Sequence, residues 1–317
     1  EKNCLKVTLV GAAGAVGTPL SLMLKLNPQI KTLALQDKVE LKGIAADLSH
    51  ICTPAKVETY DSKSLGKALQ DAAIVVVAAG QPHKTDVKPE EMLKANAKVA
   101  TEVAKEICLT CPHALIAFIT NPLNAIVPLV AKVLMDQDAY DPKRLFGVTT
   151  LNVIRAKSFM GESIGVDPLT VSIPVVGGDG GDTTLPIISQ SRPKFDGSAK
   201  ERDELVQRLQ SARSNVVDAK AGKGSIERSL SMGMAYSGGN FVNSLLRALN
   251  NEQNVIECAY VQSDVTAAEF FASPVLLGPN GIEKNYGLPT LDEKEEDALE
   301  EVVKKIQKDI DAGLQLA

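Results

Sequence analysis

Apolar positions along the first half of the chain come as short continuous runs, each followed by a stretch with helical spacing. Leu5 to Val10, Thr32 to Gln36, Ile74 to Ala79 and Ala114 to Thr120 are the runs, and they predict buried strands. Thr18 to Leu26, Gly43 to Ile51 and Glu90 to Ile107 predict the intervening helices. Strands alternating with helices at this spacing predict a parallel, doubly wound sheet with right-handed crossovers.

The pattern changes near Thr149. Leu151 to Gly161 predicts a helix, Leu169 to Val176 a strand, and Lys200 to Ala219 and Arg228 to Leu249 two further helices. Val255 to Val261 and Pro274 to Leu277 follow as strands. In the last stretch, Asp292 to Gly313, the residues Leu299, Val302, Val303, Ile306 and Ile310 repeat at three and four, so one face of a helix meets the core. The expected fold is an α/β Rossmann-type doubly wound sheet over residues 1–148, fused to an α+β substrate domain over residues 149–317.

One turn in this frame carries chemistry. Gly11, Gly14 and Gly17 sit in Gly-Ala-Ala-Gly-Ala-Val-Gly, between the first strand and the first helix. Asp37 closes the next strand twenty residues on. That context is the dinucleotide fingerprint: the glycines, with Ala15 and Val16 between them, let backbone and helix end approach a pyrophosphate. Asp37 would accept hydrogen bonds from the adenosine ribose, and its charge would repel a 2'-phosphate. NAD is therefore expected rather than NADP.

Charge and composition narrow the rest. A net charge of -5 leaves no electrostatic footprint for nucleic acid or an anionic membrane. No apolar run reaches the roughly 20 residues that span a bilayer. The five cysteines are odd in number and irregularly spaced, which argues against a disulfide framework, and the lone Cys108-x-x-Cys111 lacks the second ligand pair of a zinc site. No metal is expected. The chain opens at Glu1, which fits removal of a targeting segment or a truncated chain.

Several further motifs together resemble the malate dehydrogenase family in its mitochondrial and glycosomal branch. They are Ala45-Ala46-Asp47-Leu48-Ser49-His50, Thr120-Asn121-Pro122, Phe146-Gly147-Val148-Thr149-Thr150, Ala219-Lys220-Ala221-Gly222 and Gly281-Ile282-Glu283-Lys284-Asn285. The resemblance implies a lactate/malate dehydrogenase-like fold and a homodimer formed through the Gly43 to Ile51 and Leu151 to Gly161 helices. It implies hydride transfer between malate and NAD, with a His as base, an Asp holding that His, and three Arg gripping the dicarboxylate.

Position by position, this chain departs from that pattern. The catalytic His position is Asp179, in Gly177-Gly178-Asp179, and the partner Asp position is Asn152. Of the two loop Arg, the first is His83 and the second Pro89, which has no donor; Lys84 and Lys88 lie nearby but cannot copy a bidentate guanidinium. Arg155, matching the carboxylate clamp, survives, as do Asn121 and Asn96; Gly80 opens the active-site loop. The segment Ile226 to Gly233 aligns as an insertion of about four residues. An Asp at 179 is ionised near neutral pH and a weak base. It is expected either to stand as a solvated or Asn152-bonded loop residue or, with Asp182, to favour the positive nicotinamide of NAD⁺.

These readings predict an NAD-binding homodimer that lacks malate dehydrogenase activity and serves a binding or scaffold role for an unidentified protein partner. The alternative is an NAD-dependent 2-hydroxy acid dehydrogenase with altered or weak activity, anchored on Arg155. The expected location is the mitochondrial matrix, with a glycosome- or peroxisome-like organelle or the cytoplasm as alternatives.

Overall fold

A computed structural model describes residues 5–81, 88–220 and 232–317. His83, Lys84, the start of the Arg228 helix and most of the Ile226 to Gly233 segment lie outside the described residues.

In chain order the first half contains β1 (Leu5–Val10), α1 (Gly17–Lys25), β2 (Ile30–Gln36), α2 (Lys42–Ser49), β3 (Lys56–Tyr60), α3 (Leu65–Leu69), β4 (Ile74–Val77), α4 (Pro89–Thr110), β5 (Leu115–Phe118), α5 (Leu123–Met135) and β6 (Leu145–Gly147). Its strands run parallel in the order β3-β2-β1-β4-β5-β6. That order reverses direction between β1 and β4, which is where sheets of this kind open a crevice beyond their carboxyl ends.

Both faces of this sheet are covered, which explains its unbroken apolar runs. Along β4, Ile74 and Val76 join one cluster with Leu20, Leu24, Phe241 and Leu245. Val75 and Val77 join the opposite cluster with Ile126, Leu129, Ile306 and Ile310. The period of two thus hands alternate residues to different helical layers.

The second half contains α6 (Thr150–Ile164), β7 (Val175–Gly177), β8 (Thr184–Pro186), α7 (Ala199–Lys220), α8 (Met232–Leu249), β9 (Val255–Gln262), β10 (Phe270–Gly278), β11 (Gly281–Asn285) and α9 (Glu293–Leu314). These strands are antiparallel, and the sheet continues from β6 through β9-β10-β7-β8, with β11 paired to β10. β6 and β9 meet at one residue pair, Gly147 and Tyr260. α9 starts with a reciprocal cap, in which the Asp292 side chain accepts the Glu295 amide and the Glu295 carboxylate accepts the Asp292 amide. Its Val302, Ile306 and Ile310 are buried at four-residue spacing, as the periodicity predicts.

Two expectations need correction. The strand predicted over Leu169 to Val176 is mostly a 3-10 turn, Pro168–Thr170, and only Val175–Gly177 pairs in the sheet. Pro168 and Pro174 interrupt the ladder, while Val171 and Ile173 are buried in a third cluster with Met160 and Leu205. The helix α5 was not anticipated, because Pro128 lies inside it. Pro128 has no amide for the Asn124 carbonyl; the Tyr260 hydroxyl donates to that oxygen instead, at 3.1 Å.

Candidate functional site

The glycine turn is built by close approach. Gly11 has φ +90°, and a Cβ there would lie 2.5 Å from the Ala79 amide nitrogen. A Cβ on Gly17 would lie 1.9 Å from the Gly11 carbonyl oxygen. Gly14 is different: its Cβ position meets only that same oxygen, at 3.4 Å, and the residue is exposed. Ala15 and Val16 are half-buried beside it. No side chain caps α1 and no acid stands in its first turn, so the partial positive charge of its amides is not offset locally.

Asp37 follows β2 and is half-buried. Its Oδ2 accepts the Ala13 amide at 2.9 Å and its Oδ1 the Val39 amide at 3.2 Å. A carboxylate has roughly four acceptor positions, so Asp37 keeps capacity for further donors. The end of β2 and the glycine turn are therefore one unit.

A second unit joins the ends of β4 and β5. Asn96, on α4 and fully buried, accepts the Gln81 amide at 2.7 Å and donates to the Asn121 carbonyl at 2.6 Å. A Cβ on Gly80 would lie 2.9 Å from Thr120 Cγ2 and 3.1 Å from Asn96 Oδ1. The Asn121 side-chain oxygen is buried with no partner. A buried acceptor in that state calls for a donor, and the carboxamide of a nicotinamide has one. Together with the glycine cradle and the uncapped helix end, the residues present fit NAD.

The corner around Asp179 is charged. Arg155, on α6, is half-buried and makes no hydrogen bond or ion pair among the described residues. Burial pulls its guanidinium below the ordinary Arg value; Asp179 opposes that fall, and Arg213 adds to it. The three groups thus share one electrostatic neighbourhood.

Asp179 is held twice. Its amide donates to Asn124 Oδ1 at 2.8 Å, and its carboxylate pairs with the Arg213 guanidinium at 3.3 Å. The Asp179 side chain is 4% exposed and that of Arg213 29%. The expectation of a solvated or Asn152-bonded Asp179 is therefore corrected: Asn152 donates to the Gly178 carbonyl at 3.3 Å instead. Both acids of the turn have cationic partners on other elements: Arg213 for Asp179 and, at 2.6 Å, Lys305 for Asp182. Arg213 was not anticipated. It lies on α7, whose many polar residues read as a solvated face.

Asn124 organises this corner. Besides receiving the Asp179 amide, it donates to Asp309 Oδ2 at 2.9 Å and to the Thr183 hydroxyl at 3.3 Å. Pro89 begins α4 and contributes no donor, and Lys88 before it is exposed. His83 cannot be placed, lying outside the described residues. Two grooves of about 380 and 420 Å³ flank Arg202 on α7, and neither is lined by Asn124, Arg155, Asp179 or Arg213.

Comparison with known proteins covers the whole frame. The family model described as "lactate/malate dehydrogenase, NAD binding domain" matches residues 5–147. The one described as "lactate/malate dehydrogenase, alpha/beta C-terminal domain" matches residues 149–317. The mitochondrial malate dehydrogenase of Caenorhabditis elegans is 43% identical, over 98% of this chain and 90% of that protein. The chloroplastic malate dehydrogenase of Arabidopsis thaliana is 41% identical, over 98% of this chain and 77% of that protein. Among solved structures, Cryptosporidium parvum malate dehydrogenase superposes with a TM-score of 0.82 at 23% identity, covering 99% of this chain and all of that one. A lactate dehydrogenase from Eimeria maxima superposes at 0.83 with 20% identity, covering 100% of this chain and 96% of that one.

Proposed function

Because the chain belongs to the lactate/malate dehydrogenase family and carries that family's NAD-binding domain, we propose that it is an NAD-binding homodimer without malate dehydrogenase turnover that works by binding. One observation carries this reading. At the position matched to the family's catalytic His stands Asp179, with its carboxylate buried and already paired to Arg213. A positioned general base contributes about 10²–10⁴-fold to such a reaction, and a paired carboxylate is a poor acceptor for a hydroxyl proton. Asn152 cannot replace the carboxylate that would orient an imidazole, and Pro89 cannot polarise a carbonyl.

The nucleotide half is of a different kind. Bound NAD would supply a hydride-accepting nicotinamide. Asp37 would take the ribose hydroxyls, the α1 amides the pyrophosphate, and the Asn121 oxygen the carboxamide. A second reading, altered chemistry on another 2-hydroxy acid, draws support from Arg155, which is left without a hydrogen-bond partner among the described residues. NADH oxidation measured over a panel of 2-oxo acids including oxaloacetate separates the two. The binding reading expects no turnover with any member; robust turnover with oxaloacetate would refute both, and turnover with another acid alone selects the second.

The dimer reading rests on α2 and α6. α2 exposes Gly43, Ala46 and Asp47, small residues that suit close packing of a second helix. Sedimentation is expected to give a dimer at micromolar concentration, and a monomer there would contradict it. A mitochondrial location is supported by relatives named as mitochondrial proteins, against others named as chloroplastic. Organelle fractionation tests it, and pull-down from that organelle tests for a protein partner.

A further inference from the structure

Cys108 and Cys111 close α4 at the end away from the nucleotide turn, and Asn96 lies about 18 Å back along the helix axis. Both thiols are free. The Cys111 amide still donates to the Ile107 carbonyl at 2.9 Å, so the backbone is helical as far as that nitrogen. Helix geometry then sets the two Cα atoms about 5 Å apart, inside the range of about 4.4–6.8 Å that disulfides span.

A regular helix would hold the two Cβ atoms about 5–6 Å apart, too far for the bond. Cys111 is the last cap of α4 and has already left helical geometry, with φ -148° and ψ 57°. Its side chain is therefore not tied to that spacing. Both cysteines pack against the same hydrophobic cluster. Neither thiol is strongly held: Cys108 Sγ donates to the Ala104 carbonyl at 3.2 Å, and Cys111 Sγ receives the Thr110 hydroxyl at 3.9 Å. Access differs between them. Cys108 is half-buried beside Leu109, which is 78% exposed, whereas Cys111 is buried.

We propose that Cys108 and Cys111 form a dithiol that a small-molecule disulfide, such as glutathione disulfide, converts to an internal disulfide. The accessible Cys108 thiolate attacks one sulfur of glutathione disulfide, that S–S bond breaks, and one glutathione thiolate leaves. The Cys111 thiolate then attacks the Cys108 sulfur of the mixed disulfide and releases the second glutathione. Two cysteine thiols are oxidised, glutathione disulfide is reduced, and the two cysteine protons end on the two glutathiones. Burial pushes the Cys111 thiol up to about 11 and raises Cys108 as well, and a helix C-terminus also disfavours an anion. Few thiolates form and a high-pKa thiol leaves slowly. The pair thus stores a redox state and does not turn over as an oxidoreductase.

The test equilibrates the full chain, without air, in glutathione buffers running from mostly thiol to mostly disulfide. Samples are trapped with an alkylating agent in denaturant and digested with trypsin. One peptide, residues 106–132 between Lys105 and Lys132, carries both cysteines. It is expected to pass from doubly alkylated to unalkylated and two hydrogens lighter, and to return on reduction with a dithiol. Cys111→Ser is expected to lose the internal bond and stop with one glutathione on Cys108. Cys108→Ser is expected to lose reaction in this peptide, because the buried Cys111 is not reached first. A peptide that stays doubly alkylated in the most oxidising buffer overturns the proposal. So does a glutathione on each cysteine, a bridge to any other cysteine, or closure that appears only when urea unfolds the chain.

Discussion

The Tyr260 hydroxyl donates to the Asn124 carbonyl, the acceptor that Pro128 leaves without an amide. One tyrosine thus makes a proline tolerable inside a buried helix whose first turn carries the Asn124 clamp on Asp179. Tyr260→Phe keeps the ring and its stacking on Phe270 but strands a buried oxygen. The expected cost is about 1–3 kcal/mol, read from the midpoint of denaturant unfolding. A change near zero would mean that another donor reaches Asn124.

The three glycines of the nucleotide turn are not equivalent. Gly17→Ala places a methyl 1.9 Å from the Gly11 carbonyl oxygen, against backbone that cannot swing away. Overpacking of this kind costs about 1–3 kcal/mol or more, and it displaces α1 from the pyrophosphate. Gly14→Ala meets the same oxygen only at 3.4 Å. NAD titration is therefore expected to detect little or no binding in the first variant and a milder loss in the second.

Restoring a histidine at position 179 alone is expected to fail. Arg155 and Arg213 would oppose its protonation, so the imidazole should titrate below the ordinary value near 6.5. Asn152 and Pro89 leave it without an orienting carboxylate and a carbonyl-polarising guanidinium. NMR titration of Asp179→His, with an oxaloacetate assay beside it, checks both parts. An ordinary or raised imidazole value would show that the two guanidiniums exert no field there.

Asp309 offers a pH test of the same corner. Burial raises its carboxyl above the ordinary Asp value, the Asn124 amide opposes the rise, and Asp182 adds to it. The folded chain thus binds this proton more tightly than the unfolded chain. The contribution to stability is complete below the unfolded value of 3.8 and is lost as pH rises through the folded one. Above the folded value the ionised group works against the fold. Asp309→Asn, which keeps an acceptor for Asn124, is expected to melt higher than the parent at pH 7, with the gap closing below about pH 4. A gap independent of pH would rule this out.

Much of the first half was legible because its signals are local. β1, the glycine turn and Asp37 follow one another within 33 residues, and each restricts the next. α5 was not legible, since Pro122 and Pro128 mark it as broken and the compensating hydroxyl is 136 residues away. β11 was missed because Gly-Ile-Glu-Lys-Asn has little apolar alternation; it is held by pairing with β10 instead. In the site, the substituted positions could be read against a family pattern, but the partner of Asp179 could not. Arg213 lies 34 residues later, on a helix that otherwise looks like a charged surface.

The join between the two halves has a thermodynamic consequence. The sheet runs on from β6 to β9 through Gly147 and Tyr260, and α9 packs so tightly on α5 that a Cβ on Gly313 would lie 2.0 Å from the Ala125 carbonyl oxygen. Neither half keeps a complete core without the other, so heat should melt them in one cooperative transition. A ligand gripped only by the first half then protects the whole chain. At free NAD about 100 times its dissociation constant, the gain is about 2.7 kcal/mol, visible in scanning calorimetry as a single peak that moves up intact instead of splitting.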